Sequence, residues 1–183
     1  MNLSVIIPVY NEAENIKCTL QEVLSAAKKI EEIKKIDVIV VDDHSSDRTY
    51  EVVTELKDPG VRVLRLSRRS GSHTALRAGI MQAEGDAVLC ISADGQDDPF
   101  CLRAMLEQLR SGKSVVWALR GDRKAEPWYI RFPAQLFYKM LFSLVKSKEN
   151  MIDLCRADFF LLDKKITQAI NACPERNLSL IHI

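Results

Sequence analysis

Five short runs of apolar, largely β-branched residues punctuate the chain, at 5–9, 38–41, 61–66, 87–91 and 115–119. Each has the length of a strand. Between them, apolar residues recur at helical spacing. Ile16, Leu20, Val23, Leu24, Ala27 and Ile30 form one stripe, and Val52, Val53 and Leu56 a second. Ala75, Leu76, Gly79, Ile80 and Ala83 form a third, and Leu102, Met105, Leu106 and Leu109 a fourth. Strands without polar alternation must be covered on both faces. Alternation with helices therefore predicts an α/β fold, with a mostly parallel central sheet flanked by helices. Asp47 and Ser72 stand where helix N-caps are expected, Pro99 at a first helical turn, and Gly112 just past a helix ending at Arg110.

That architecture directs attention to one edge. Ligands of parallel α/β sheets bind beyond the carboxyl ends of the strands. There the sequence has "PVYNEAEN" after the first run, "DDHSSD" after the second and "SADGQDD" after the fourth. All three are polar and acidic, and all are expected on the same edge. Clustered carboxylates with a Gln amide suit a hard cation, Mg²⁺ or Mn²⁺, which takes its remaining ligands from phosphates and water. A nucleotide or nucleoside diphosphate is the natural companion. No GxGxxG follows the first run, and no GxxxxGK[ST] or GxSxG occurs. These absences argue against a dinucleotide fingerprint, a P-loop and a hydrolase elbow.

With 183 residues the chain is expected to form one domain, and its net charge of +1 gives no global sign of nucleic-acid binding. Five cysteines without a CxxC pair read as reduced thiols in a cytosolic setting rather than as a disulfide framework or a zinc site. The start has no basic, then apolar, leader pattern, and no run of about 18 apolar residues occurs. The last residues, "ERNLSLIHI", break off inside an apolar segment, so the natural protein is expected to continue past residue 183.

Four stretches carry a resemblance: "SVIIPVYNEAENI", "VIVVDDHSSDRTYEVV", "GSHTALRAGIMQAEGDAVLCISADGQDDP" and "ADFFLLDKK". Together, in order and at this spacing, they resemble family-2 glycosyltransferases of the Rossmann-like GT-A fold. The nearest group is the polyprenyl-phosphate hexose transferases, which include dolichol-phosphate mannose synthases and bactoprenol glucosyltransferases. The resemblance covers nearly the whole chain and implies a single GT-A catalytic domain over 1–183, truncated at its C-terminus. It also implies roles. Pro8, Tyr10, Asn11 and Glu12 match the loop that holds the donor nucleoside, and Asp43 the carboxylate that accepts from the base. Asp94 and Gln96 match the metal-binding part of a D-x-D-x-Q pattern. Ser92 stands where that pattern has its first Asp, and offers a hydroxyl to the donor but no charge. Asp97 is expected to cap the turn starting near Pro99. Arg120 and Arg131 match the acceptor-phosphate positions, where two guanidiniums grip a phosphate through forked charge-assisted bonds. Asp158 matches the late acidic residue near the acceptor. The second pKa of a phosphate monoester is about 6, so that nucleophile is already ionised, and Asp158 is expected to orient it and stabilise charge at the anomeric carbon.

The implied activity is inverting transfer of a hexose from a UDP- or GDP-sugar to a polyprenyl phosphate, at the cytoplasmic face of a membrane, for envelope glycan assembly. Transfer to a saccharide acceptor, or a nucleotide-sugar-binding domain that has lost catalysis, are the alternatives. In 127–145, Arg131, Gln135, Lys139 and Ser143 form a narrow polar stripe in otherwise apolar sequence. Such a segment suits a membrane interface, with Trp128 and Tyr129 at headgroup level, or a subunit interface in a homo-oligomer. His44 and His73 lie near the edge loops and receive no role.

Overall fold

In a computed structural model, the structure describes residues 1–118 and 159–173. These belong to one of two units into which the chain divides, Met1–Ala118 with Asp158–Ile183; the other, Leu119–Ala157, lies outside the described residues. The elements run β1 (Asn2–Val9), α1 (Ile16–Lys28), β2 (Lys35–Asp42), α2 (Thr49–Glu55), β3 (Val61–Arg65), α3 (Ser72–Met81) and β4 (Ala87–Cys90). A 3₁₀ turn (Pro99–Cys101), α4 (Leu102–Arg110), β5 (Val115–Trp117), β6 (Phe160–Asp163) and α5 (Lys164–Ala172) follow.

The six strands are ordered β3-β2-β1-β4-β6-β5. β1 pairs in parallel with β2 and β4, and β2 with β3, whereas β6 runs antiparallel to both β4 and β5. The expected mostly parallel α/β sheet is thus present. All five expected strands form, within a few residues of their apolar runs. β6 and α5 were not expected as elements. "FFLLD" is short, and its pairing partner β4 lies far back in sequence, so nothing local marks its antiparallel direction.

Strand alternation sorts the core. Leu3, Val5, Ile7 and Val9 of β1 pack on one face with Ile16, Leu20 and Val23 of α1, Val53 of α2 and Leu102, Met105 and Leu106 of α4. Ile6 points the other way, with Ile39 and Val41 of β2 and Val88 and Cys90 of β4, against Ala75 and Ile80 of α3 and Ile170 of α5. Burial of both faces explains why these strands read as continuous apolar runs. Burial also pushes the Cys90 thiol well up, which leaves it an inert core residue.

The expected caps divide. Pro99 opens the 3₁₀ turn, and Gly112, with φ +95°, follows α4 and donates to the Leu109 carbonyl. At α3, however, Gly71 rather than Ser72 is the N-cap, because the chain arrives with φ +92° and the Gly71 N–H is drawn to Asp43. Asp47 misses the N-cap of α2 by one residue, although it still accepts from the Thr49 N–H. Asp98, not Asp97, caps the turn at Pro99 by accepting from the Phe100 N–H.

Close approach of α3 to the sheet depends on Gly79. A Cβ there would lie 2.3 Å from Cγ2 of Ile6 and 3.1 Å from Cγ2 of Val41. Helix propensity alone favours alanine by about 1 kcal/mol. The overlap with two packed β-branched side chains reverses that preference. Gly79→Ala is expected to lower the stability measured by urea unfolding by about 1–3 kcal/mol; an unchanged or raised midpoint would show that α3 does not pack this tightly.

Candidate functional site

The sheet's carboxyl edge opens into a cleft of about 380 Å³. Pro8, Tyr10 and Glu12 line it from the loop after β1, Asp43 from the end of β2, and Ser92 and Asp94 from the loop after β4. Six of the eight residues predicted for donor and metal binding therefore converge on one wall system. The cleft is completed by residues to which the sequence assigned no ligand-binding role, chiefly Arg69, Gly71, Ser72 and His73 at the entry to α3.

Asn11 is turned elsewhere. It has φ +56°, a conformation asparagine tolerates better than most residues. Its Oδ1 accepts from the N–H of Ser46 at 2.9 Å, the Ser46 hydroxyl at 3.2 Å and the N–H of Asp47 at 3.4 Å. Its own N–H donates to the Ser45 hydroxyl at 3.0 Å. The next two amides are satisfied similarly, Glu12 by the Thr49 hydroxyl at 2.8 Å and Ala13 by Asp47 Oδ2 at 3.1 Å. The "HSSDRT" loop is therefore a bracket for the "YNEA" loop. Asn11 shapes this loop from behind, while Tyr10 and Glu12 line the cleft.

The bracket rests on two buried acids. Asp42 is fully buried, accepts from the Ser45 N–H at 2.9 Å and lies 3.3 Å from Nε of Arg65. That ion pair is off-line for a hydrogen bond, since Asp42 Oδ2 has no aligned donor. Arg65 also donates to the Ser45 carbonyl at 3.0 Å and lies over the Tyr50 ring. Asp43 accepts from the N–H of Ser70 at 2.6 Å and of Gly71 at 2.8 Å, one on each carboxylate oxygen. It thus pins the loop that carries Arg69. A carboxylate oxygen keeps a second lone pair, so Asp43 can still accept from a ligand. The Arg69 guanidinium stands 4.0 Å from the Tyr10 ring centroid, within cation–π range. Arg69 was missed because two adjacent arginines in a polar loop look like a solvated turn. His44 has φ +61°, and its Nδ1 lies 3.2 Å from the Leu66 carbonyl, outside the cleft lining.

At the opposite wall, Asp94 is exposed, and Oδ1 accepts from the Gln96 N–H at 3.0 Å and from the Ser92 hydroxyl. Its Oδ2 has no protein donor among the described residues. Ser92 therefore orients the Asp94 carboxylate. Gln96 does not line the cleft, and its backbone N–H is the group that donates to Asp94. No cluster of three acidic, histidine or cysteine side chains able to hold a metal occurs among the described residues. One free carboxylate oxygen still fits Mg²⁺ or Mn²⁺ when a diphosphate and water complete the shell, and does not fit an all-protein cage. Arg120, Arg131 and Asp158, and the whole 127–145 segment, lie outside the described residues.

Three carboxylates, Glu12, Asp43 and Asp94, thus face one guanidinium across an α/β cleft. The glycosyl transferase family 2 model matches residues 4–170. The chain belongs to glycosyl transferase family 2. It is 36% identical over 181 residues to an uncharacterized glycosyltransferase of Synechocystis, covering 96% of this chain and 54% of that protein. It is 33% identical over 184 residues to the bactoprenol glucosyl transferase of Shigella phage SfV, covering 97% and 57%. The chain thus spans about half the length of these relatives. Among solved structures, the family fold is shared with a mannosyltransferase of Pyrobaculum calidifontis in complex with GDP-Man and Mn²⁺. Its TM-score is 0.65 at 19% identity, covering 94% of this chain and 47% of that one. The central sheet is that of the GT-A fold.

The bracket makes a pH prediction. Burial pushes the Asp47 carboxyl up, but the bonds from the Thr49 hydroxyl and from the Thr49 and Ala13 amides outweigh it and hold the group below its ordinary 3.8. With the folded value depressed, the stability Asp47 contributes is complete above pH 3.8 and is lost as pH falls through the folded value. Asp47→Asn is expected to be less stable than the parent at neutral pH, with the gap closing below about pH 4 in thermal melts. A gap independent of pH would contradict the charge-based bracket.

Proposed function

We propose that the chain is the donor-binding and catalytic part of an inverting hexosyltransferase that moves a sugar from a nucleoside diphosphate to a polyprenyl phosphate. The observation that carries this reading is the charge of the cleft. Glu12, Asp43 and Asp94 line a space large enough for a nucleotide, with Arg69 the one guanidinium among its lining residues. A diphosphate brought there without a cation would meet net repulsion, several carboxylates at short range in a partly desolvated cleft. A divalent cation converts that repulsion into attraction. The Mn²⁺ and GDP-Man named for the Pyrobaculum structure support the same pairing here.

In this reading Tyr10 and Arg69 offer flat faces to the base, and Asp43 accepts from a base N–H. Asp94, oriented by Ser92 and the Gln96 amide, presents its free oxygen to the cation, and Gln96 is the second ligand that the family pattern suggests. When bound, Mg²⁺ or Mn²⁺ supplies charge compensation for the departing nucleoside diphosphate. The acceptor oxygen forms its bond to the anomeric carbon from the face opposite the bond that breaks to the diphosphate. Arg120 and Arg131 bind the acceptor phosphate, and Asp158 orients it. The relative named as a bactoprenol glucosyl transferase supports a lipid phosphate as that acceptor. Such an acceptor brings the reaction to a membrane surface, which the 127–145 segment would meet. Use of nucleotide sugars, together with free thiols at Cys18, Cys90, Cys101 and Cys173, supports a cytoplasmic face. No helix among the described residues is long and apolar enough to cross a membrane.

The test is a thermal-shift screen of UDP- and GDP-sugars with and without Mn²⁺. One of them is expected to raise the melting temperature by several degrees only when Mn²⁺ is present, since ligand at about 100 times its Kd adds about 2.7 kcal/mol. Asp94→Asn is expected to abolish the metal-dependent part. A metal-independent shift of equal size, or none with any donor, would refute the reading. Asp158→Asn is expected to slow transfer to lipid phosphate only mildly in a radiolabelled-sugar assay. A loss beyond about 10³-fold would instead make Asp158 a general base.

A further inference from the structure

Thr19 sits in the second turn of α1, 3% exposed, with a hydroxyl that its own helix does not need. The Asn15 carbonyl, the usual partner of a helical threonine, already accepts the Thr19 N–H at 3.1 Å. The hydroxyl lies 3.2 Å from that oxygen and 3.1 Å from the carbonyl oxygen of Ala93, 74 residues away. A hydroxyl carries one proton. Ala93 is itself 3% exposed, and its carbonyl has no other donor among the described residues. A buried carbonyl left unpaired costs more than a shared second bond to Asn15 gains, so the proton belongs on the Ala93 side.

Ala93 lies between Ser92 and Asp94. The Ser92 and Gln96 bonds to Asp94 fix the shape of that turn, but not where the turn sits against the rest of the molecule. Among the described residues, the Thr19 hydroxyl makes the one side-chain hydrogen bond from residues 92–94 to another element. The same helix carries the opposite wall. The Glu12 carbonyl accepts from the N–H groups of Asn15 and Ile16 at 3.1 and 2.9 Å, which fuses the donor loop to the first turn of α1.

We infer that Thr19 is a positioning residue. Its buried hydroxyl ties the Ala93 carbonyl to α1 and so holds the Asp94 carboxylate at a fixed distance from the Tyr10–Glu12 wall. The significance of that distance rests on the reading of Asp94 as the cation's carboxylate; the tie itself does not.

Two measurements on the chain separate these points. Thr19→Val keeps the shape and removes the donor. Thr19→Ser keeps the donor and removes a methyl group. Thr19→Ala removes both, and serves beside Thr19→Ser if the valine variant does not fold. Hydrogen exchange of the ligand-free protein reads the tie. Amides of residues 92–96 are expected to exchange about tenfold faster in Thr19→Val and Thr19→Ala, and near the parent rate in Thr19→Ser, for a hydrogen bond of about 1 kcal/mol and its orphaned acceptor. Calorimetric titration with Mn²⁺ in the presence of UDP or GDP reads the consequence. The Kd is expected to rise about tenfold in Thr19→Val and to return to within about twofold in Thr19→Ser, whatever their melting temperatures. Parent-like exchange and binding in Thr19→Val, or equal losses in valine and serine variants, would overturn the inference. If the parent binds no Mn²⁺ with either nucleotide, the functional reading fails instead, and exchange alone decides whether Thr19 holds the loop.

Discussion

Backbone amides at the tip of the first loop dictate the form of this site. Residues 11–13 leave β1 at the open edge of the sheet, where no strand ladder or helix can satisfy their N–H groups. Ser45, Thr49 and Asp47 supply the acceptors from the neighbouring loop, and Asn11 returns the favour to the amides of Ser46 and Asp47. Two loops that would each be short of partners become one rigid wall. Arg65 and the fully buried Asp42 stiffen it from beneath through Ser45. Breaking one partner of such a pair leaves a buried charge uncompensated, so the arrangement tolerates little variation.

This economy changes how the acidic edge is understood. An acid-rich rim suggests many ligands for one cation. In the structure most of those acids serve the protein. Asp42 and Asp47 hold the bracket, Asp98 caps a turn, and Asp43 pins the loop of Arg69 while keeping lone pairs for a ligand. Asp94 keeps one carboxylate oxygen without a donor among the described residues. A site with so few protein ligands is suited to a cation that arrives with its own phosphate oxygens, and poorly suited to one held permanently. Ser92 fits the same logic, since a neutral hydroxyl directs Asp94 without adding charge.

Much of this could be read before any coordinates. β-branched runs and helical stripes located five strands and four helices because burial on both faces leaves its mark on local sequence. The rule that ligands gather at strand carboxyl ends led to one edge of the sheet, and there Pro8, Tyr10, Glu12, Asp43, Ser92 and Asp94 line one cleft. The antiparallel β6 escaped because its direction is set by pairing with β4, not by its own residues. Asn11 is expected in the same loop, but sequence carries no record of side-chain direction, and its Oδ1 accepts from the amides of Ser46 and Asp47 instead of lining the cleft. Asp97 and Asp98 are adjacent acids before a proline, and only the geometry distinguishes the cap. Arg69 and Thr19 had no motif to announce them, since an arginine in a polar loop and a threonine within a helix carry no local mark of a site.

The account stands on Asp94 touching a cation that also touches the donor's phosphates. Pulsed electron–nuclear double resonance on Mn²⁺, with a nucleoside diphosphate and protein carrying ¹³C-labelled aspartate carboxylates, measures both contacts at once. The expected spectrum shows ³¹P and ¹³C couplings together, with the ¹³C coupling gone in Asp94→Asn. A spectrum with ³¹P coupling alone, the same as that of manganese and nucleotide free in solution, would contradict it.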